Sequence, residues 1–295
     1  MNRALDTTVI APAWQQLGFE PGLMFRAFGM RRSGNHAILD WLLRNAPGEK
    51  SVFLNNCRPG KNPLTSFSAI EVNGETLPPR RAVSDLPQAT ATAGQGAMLL
   101  VSYEDTSPAE FTHATRPSGS FDEALINCDL IICRGFLNWS ASLLRKLQRN
   151  PGYTAIQRTV VMLRAMAIYS RLLSLLDAAE TERRVCIPYD TWRSSESFRG
   201  EVLRRLGLPE RDNTLGKVQG YGGGSSFQAD AEDPAKLSTD RRWQQQADDP
   251  EYQALLHLAA RDTLLAERLK RHFPEDAMRL SRLLDHAPLP KEVLL

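Results

Sequence analysis

The feature that most constrains the fold is a short apolar segment that runs into a glycine-bounded loop and then into a helical pattern. Residues 23–28 are mostly apolar and predict a strand, and the loop Gly29-Met30-Arg31-Arg32-Ser33-Gly34 follows directly. After the loop, apolar residues recur with helical spacing as far as residue 45. This order places backbone amides at a helix N-terminus, where the amides and the helix dipole attract an anion. The segment therefore predicts a phosphate-type anion site in an α/β fold.

The side chains of the loop favour an oxyanion over a metal-bound triphosphate. Arg31, Arg32 and Ser33 add two guanidinium groups and a hydroxyl to the loop amides. In a nucleotide-hydrolysing loop, a lysine reaches the β- and γ-phosphates and the next residue, Ser or Thr, holds Mg²⁺. Asn35 and His36 occupy those two positions here. We therefore expect an anion site that needs no metal ion.

Other apolar runs predict further strands of a parallel sheet. Residues 97–103 and 130–133 are continuous apolar runs of the kind found in buried parallel strands. Glu104 and Asp105 follow the first run and Arg134 follows the second, at the carboxyl ends where open α/β sheets bind ligands. A further strand is expected at 184–190, and helices at 154–179, 196–206, 250–272 and 277–286.

The pattern as a whole predicts an α/β fold with a central parallel sheet flanked by helices in three layers. We expect a single domain over residues 1–295, with C-terminal helices at about 250–286. Residues 57–96 are rich in Pro, Gly, Asn, Ser and Thr and predict an irregular insertion or lid over a site.

Composition limits which partners the protein can bind and in which cellular compartment it is expected. The formal net charge of +2 and the lack of a long basic run argue against capture of nucleic acid. The four cysteines show no C-x-x-C spacing and are expected to be reduced, structural thiols. The first ten residues are too polar for a signal-peptide core, and no uncharged apolar run approaches the roughly 20 residues of a membrane span. We expect a soluble, cytoplasmic protein.

Two further clusters could bind anions. Arg134 ends a predicted strand, and Ser142 lies eight residues later in the helix that follows. A salt bridge from Arg134 to a carboxylate is the equally weighted structural alternative. The segment Gly222-Gly223-Gly224-Ser225-Ser226-Phe227 offers backbone that an anion can approach closely and two hydroxyl donors, although taken alone it favours a flexible surface loop.

Taken in order along residues 23–243, these clusters resemble the sulfotransferase family that uses 3′-phosphoadenosine 5′-phosphosulfate (PAPS). In that family a strand-loop-helix with Lys or Arg, Ser and Gly binds the 5′-phosphosulfate, and Arg32-Ser33-Gly34 matches it. An arginine eight residues before a serine binds the 3′-phosphate, as Arg134 and Ser142 would. The resemblance also implies Tyr189 near the adenosine and Gly223, Gly224, Ser225, Ser226 and Phe227 around the 3′-phosphate. Arg31, Asn35 and His36 would complete the donor site.

The resemblance implies transfer of a sulfuryl group from PAPS, leaving 3′-phosphoadenosine 5′-phosphate (PAP), without a metal ion. Arg32 would stabilise charge on the bridging oxygen. The chain departs from the family in three places: Arg32 replaces a lysine, Asn35-His36 replace a Thr pair, and no Lys-Thr-His segment follows the strand at 97–103. The last departure leaves the base open.

Glu104 is the first candidate for the base because it ends a strand beside the predicted site. Asp105 and His36 are alternatives, and a surface salt bridge is the structural reading of Glu104. The acceptor could be a small molecule, a glycan or a lipid. A P-loop kinase or NTPase and a non-catalytic nucleotide-binding module are the competing functions, the first of them opposed by Asn35-His36.

Overall fold

The computed structural model describes residues 16–77, 85–112, 115–177, 183–217, 227 and 239–286. Its strands are β1 (Leu23–Gly29), β2 (Ser51–Asn55), β3 (Ala69–Val72), β4 (Glu75–Thr76), β5 (Met98–Glu104), β6 (Cys128–Cys133) and β7 (Arg184–Pro188). They form one seven-stranded sheet in the order β4-β3-β2-β5-β1-β6-β7. The pairs among β2, β5, β1, β6 and β7 are parallel, and β3 and β4 extend the β2 edge antiparallel.

The helices alternate with the strands and continue to the end of the described chain. They are α1 (Asn35–Arg44), α2 (Pro63–Ser66), α3 (Leu86–Thr90), α4 (Phe136–Gln148), α5 (Ala155–Asp177), α6 (Tyr189–Ser194), α7 (Glu196–Arg205), α8 (Pro250–Arg261), α9 (Thr263–His272) and α10 (Pro274–His286). The fold is therefore the predicted α/β class, a mostly parallel sheet between helices.

The sheet has an apolar core on each face because successive strand residues point to opposite sides. In β1, Phe25 and Ala27 join the core that α1, α6 and α7 cover, whereas Met24 and Phe28 join the core beneath α4, α5 and the C-terminal helices. Burial on both faces explains the continuous apolar runs of β1, β5 and β6. It also produces the three layers.

Helix α5 is one-sided in its packing. Its Met162, Tyr169 and Leu173 are buried, while Ile156 is 78% exposed. By length and composition alone α5 could span a bilayer, with a mean hydropathy of 1.5 over an 18-residue window of which 39% is buried. In the structure it contacts β6, α4, α8 and α9. These contacts make α5 part of the packed structure and match the helix predicted at 154–179.

The structure differs from the sequence prediction in four places, one of which is the helix expected at 250–272, divided at Asp262 into α8 and α9. Strand β2 was not predicted. Part of the segment expected to be irregular, residues 57–96, supplies β3, β4 and the short helices α2 and α3. The strand expected at 184–190 ends at Pro188, because Tyr189 and Asp190 begin α6.

Candidate anion-binding site

The glycine-bounded loop lies at the carboxyl end of the central strand. β1 ends at Gly29, whose partners in register are Glu104 of β5 and Ile132 of β6. The loop closes on itself through a hydrogen bond from the Ser33 amide to the Met30 carbonyl at 3.1 Å. Helix α1 then begins without a side-chain cap at its N-terminus. The backbone amides at the N-terminus of α1 can therefore donate hydrogen bonds to an anion.

Two glycines of the loop have space for a hydrogen atom and nothing larger. Gly34 has a φ of 88°, and a β-carbon added there would lie 2.1 Å from the Tyr189 ring. A β-carbon on Gly29 would lie 2.3 Å from the Asn35 side-chain oxygen. The close approach of Tyr189 to the backbone therefore requires glycine at position 34.

Buried donors without partners mark the interior of the site. Ser33 is fully buried and Arg134 is 1% exposed. Within the described part of the chain, the Ser33 hydroxyl and the Arg134 Nε atom have no hydrogen-bond partner. Unsatisfied buried polar groups cost about 1–3 kcal/mol each. A ligand with anionic oxygens would satisfy both groups.

Two arginines contact Ser142 of α4, and a third, Arg134, contacts the backbone of one of them. The Ser142 hydroxyl accepts a hydrogen bond from Arg242 at 2.9 Å and from Arg32 Nε at 3.4 Å. Arg134 donates to the Arg32 carbonyl at 3.2 Å and to the carbonyl of Thr239. The predicted loop, Arg134 and Ser142 thus meet in one place.

The convergence of like charges is visible in the pKa values. Burial and then the charge of Arg134 lower the pKa of Arg32 to about 10. The same two causes lower the pKa of Arg242 to about 9. Burial also lowers the pKa of Arg134, against the opposing influence of Tyr189 and Asp190. A site that holds three arginines under mutual repulsion favours a ligand of multiple negative charge.

Arg242 was missed by the sequence analysis. It is 6% exposed, its guanidinium lies 5.7 Å from the Phe227 ring centroid, and its amide donates to Asn138 of α4. The paired arginines Arg241 and Arg242 after the glycine-serine segment were the signal available in the sequence. Only the fold shows which of the two is buried.

The structure separates the two neighbouring carboxylates at the end of β5. Asp105 forms an ion pair with Arg31 Nε and also accepts a hydrogen bond from the Arg31 amide at 2.8 Å. It therefore clamps the loop, and so is poorly placed to exchange roles with Glu104. Arg31 in turn has a side chain that is 45% exposed and pairs with Asp105.

Glu104 faces His36 and Asn35 on the first turn of α1. His36 Nε2 lies 3.5 Å from Glu104 Oε1. Burial, followed by the charge of Arg32, lowers the pKa of His36 to about 4. Burial and the charge of Asp105 raise the pKa of Glu104, while Arg31, Asn35 and Arg32 oppose the rise. His36 is therefore neutral near neutral pH, and its contact with Glu104 is a polar contact between a neutral ring and a carboxyl group.

Asn35, which stands where a nucleotide-hydrolysing loop has lysine, serves the loop itself. Its side-chain nitrogen donates to the Met30 carbonyl at 3.1 Å. The side chain also favours the charged form of Glu104 and so opposes the rise in the pKa of that carboxyl group. Asn35 thus connects the loop to the end of β5.

Contacts from distant segments fix the start of α4, which carries the Arg134 and Ser142 pair. The amide of Gly135 donates to Asp190 at 2.8 Å, and the amide of Leu137 donates to Asp276 of α10 at 3.1 Å. Burial raises the pKa of Asp276 to about 6. These carboxylates satisfy the helix N-terminus, so the anion site lies on the arginine side of α4 rather than at its tip.

Tyr189 packs between the loop and the arginines. It is 7% exposed, and the Arg134 guanidinium lies 5.2 Å from its ring centroid. Of the predicted glycine-serine segment, Phe227 lies beside Arg242, whereas Gly223, Gly224, Ser225 and Ser226 fall outside the described residues. The expected roles of these residues stay predictions.

No protein-family model matches the chain, and no curated protein matches it. Among solved structures, it is similar to the crystal structure of mouse sulfotransferase SULT7A1 complexed with PAP. The two chains share 10% sequence identity with a TM-score of 0.48, over 93% of this chain and 95% of that chain. The functional assignment of this chain therefore depends on the geometry of its own site.

Proposed function

We propose that the protein is a PAPS-dependent sulfotransferase that transfers a sulfuryl group to a hydroxyl or amine of a small-molecule, glycan or lipid acceptor. The observation that carries the proposal is a cluster of buried arginines beside the glycine-bounded loop: Arg32 and Arg242 donate to Ser142, and Arg134 donates to the Arg32 carbonyl. Such a concentration of buried positive charge favours an anionic ligand, which would offset the mutual repulsion.

A ligand with two separate phosphate-type groups suits this arrangement. One set of donors comes from the loop between β1 and α1, with its unpartnered Ser33 hydroxyl. The other set comes from the segment between β6 and α4, with Arg134 and Ser142. The resemblance of the motifs to PAPS-dependent enzymes assigns the 5′-phosphosulfate to the first set and the 3′-phosphate to the second. PAPS would be the donor substrate and would supply the sulfuryl group.

The residues of the chain would meet the needs of such a transfer in distinct ways. Stabilisation of charge on the leaving phosphate falls to Arg32, Ser33 and the loop amides. Arg32 contacts Ser142 in the structure, so it would reorient to serve this role. Glu104 would take the proton of the acceptor, because it lies beside the loop and its raised pKa makes it a stronger base. His36, with its lowered pKa, would orient the Glu104 carboxyl.

The organisation of the whole chain is part of the proposal. We propose a single domain over residues 1–295, in which residues 57–96 contribute to the cover of the acceptor side. We also propose a cytoplasmic location, in keeping with its four free cysteines. No metal ion takes part in the proposed reaction, because Asn35 and His36 replace the lysine and the Mg²⁺-binding hydroxyl.

Thermal-shift measurements with PAP, ATP-Mg²⁺ and AMP test the donor site. PAP should raise the melting temperature without added metal, and a response to ATP-Mg²⁺ alone would refute the proposal in favour of a kinase or NTPase. Arg134→Ala should remove the PAP response, whereas Arg145→Ala, on the exposed side of α4, should retain it. If Arg134→Ala lowers the melting temperature of the ligand-free protein, Ser142→Ala supplies the second test.

Radiolabelled transfer from PAPS to host metabolite extracts tests the reaction. The wild-type protein should label a product, and Glu104→Gln should keep PAP binding within about twofold while transfer falls by at least about 100-fold, as expected for loss of a general base. Full transfer by Glu104→Gln would show that the base is another group. PAP binding without any labelled product would favour the non-catalytic module.

A further inference from the structure

A second cavity lies at the edge of the sheet opposite the glycine-bounded loop. It has a volume of about 700 Å³ and is lined by Asp129 near the start of β6, Arg184 at the start of β7, and residues of the segment 108–126. The amino ends of parallel strands face away from their carboxyl ends, so this cavity is separate from the anion site described above. Its volume is within the range of about 300–1,000 Å³ typical of small-molecule sites.

The acidic side chains of this cavity are already engaged. Arg26, which is 6% exposed, forms two hydrogen bonds with Asp129, at 2.7 and 3.0 Å, and one with Glu123 at 2.5 Å. It also donates to Ser118 at 2.9 Å. Asp122 accepts a hydrogen bond from the backbone amide of Ala124 at 3.0 Å. Arg26 of β1 therefore ties Ser118 and Glu123 to the sheet.

The other arginines of the cavity have guanidinium N–H groups that could donate hydrogen bonds to a ligand. Arg183 donates through one terminal nitrogen to the carbonyls of Glu123 and Ile126, at 3.0 and 2.9 Å. Its other guanidinium N–H groups have no hydrogen-bond partner among the described residues, and the same holds for the whole Arg116 side chain. The Nε atom of Arg184 is buried and has no partner among those residues.

We propose that this cavity binds a small organic anion, an aromatic carboxylate or sulfonate. The anionic group would be held by Arg116, Arg183 and Arg184, whose planar guanidiniums suit planar or tetrahedral oxyanions. The apolar part would lie against Phe111 and Pro117, which line the same cavity. The proposal goes beyond the sulfotransferase function and does not depend on it.

Isothermal titration of the full-length protein with 2-naphthalenesulfonate tests the proposal. Saturable binding with a one-to-one stoichiometry is expected, and neutral 2-methylnaphthalene should bind at least tenfold more weakly. Arg116→Gln and Arg183→Gln should each weaken binding about tenfold, the loss expected for one charge-assisted hydrogen bond. Arg164→Gln, on the exposed face of α5, should leave the affinity unchanged.

The same titration separates this cavity from the donor site. Saturating PAP and the Arg134→Ala variant should not alter the affinity for 2-naphthalenesulfonate. Binding that PAP or Arg134→Ala abolishes would overturn the proposal and assign the probe to the donor site. The proposal would also be overturned if the probe showed no saturable binding up to about 5 mM. Such a result would mean a binding free energy weaker than the roughly 4 kcal/mol of a ligand with a millimolar Kd.

Discussion

Replacing Arg242 with methionine should weaken PAP binding without lowering the stability of the ligand-free protein. Methionine fills a similar volume but removes the charge that Arg32 and Arg134 repel. The pKa of Arg242 is lowered to about 9. A lowering of more than three pKa units corresponds to a cost of the charged form on the order of 4 kcal/mol. Removing the charge should therefore stabilise the folded protein, and loss of the hydrogen bond to Ser142 offsets about 1 kcal/mol of that stabilisation.

The free energy of unfolding of ligand-free Arg242→Met should therefore not fall, and a rise of about 1–3 kcal/mol is expected. PAP binding should weaken at least about tenfold, because one charge-assisted hydrogen bond is lost. At a PAP concentration of about 100 times the wild-type Kd, ligand stabilisation is about 2.7 kcal/mol for the wild type and about 1.4 kcal/mol for a variant that binds tenfold more weakly.

Urea unfolding with and without PAP measures both quantities. The control is Arg241→Met, since Arg241 is the adjacent residue but has a side chain 72% exposed. This control should change neither stability nor the PAP response. Reduced stability of ligand-free Arg242→Met together with an unchanged PAP response would refute the reasoning, because Arg242 would then be a structural residue outside the anion site.

Two further predictions follow from the same site. The Kd for PAP should rise as the pH increases through 9 to 10, because Arg242 and Arg32, with pKa values of about 9 and about 10, lose protons that the bound anion favours. Over that range the free energy of unfolding of the ligand-free protein should rise, since lowered folded-state pKa values mean that the unfolded chain binds more protons. Calorimetry from pH 7 to 10 measures the Kd, and a Kd independent of pH would contradict the first of these expectations. Gly34→Ala should lower the free energy of unfolding by about 2–4 kcal/mol and impair PAP binding, because its β-carbon would lie 2.1 Å from Tyr189 at a φ of 88°. Gly207→Ala is the control, at a φ of 68° with no atom within 4 Å, and should cost about 1 kcal/mol in chemical unfolding; equal losses in the two variants would show that the contact with Tyr189 does not matter.

Local patterns were sufficient for the elements that carry the loop. The predicted strand at 23–28 and the helix after it match β1 and α1 to within one residue. The runs at 97–103 and 130–133 correspond to β5 and β6. Long buried strands and amphipathic helices leave a short-range pattern in the sequence, whereas the five-residue buried parallel strand β2 was not predicted.

The two short strands β3 and β4 depend on pairing rather than on periodicity. Strands β3 and β4 are short and lie in a polar, proline-rich region, where they exist because β2 offers an edge for antiparallel pairing. Arg242 reaches Ser142 across 100 residues of sequence. Contacts of that separation leave no local pattern in the chain.

The glycine loop, its arginines and serine, and the spacing of Arg134 and Ser142 follow from residue type and position, so they can be recognised without a structure. Which charges are available for chemistry depends on the fold. It joins Asp105 to Arg31 and leaves Glu104 facing His36, although the two carboxylates are adjacent in sequence. It also buries Arg242 and exposes Arg241. Desolvation and the proximity of like charges set the pKa values of the site, and both depend on three-dimensional neighbours that the sequence does not order.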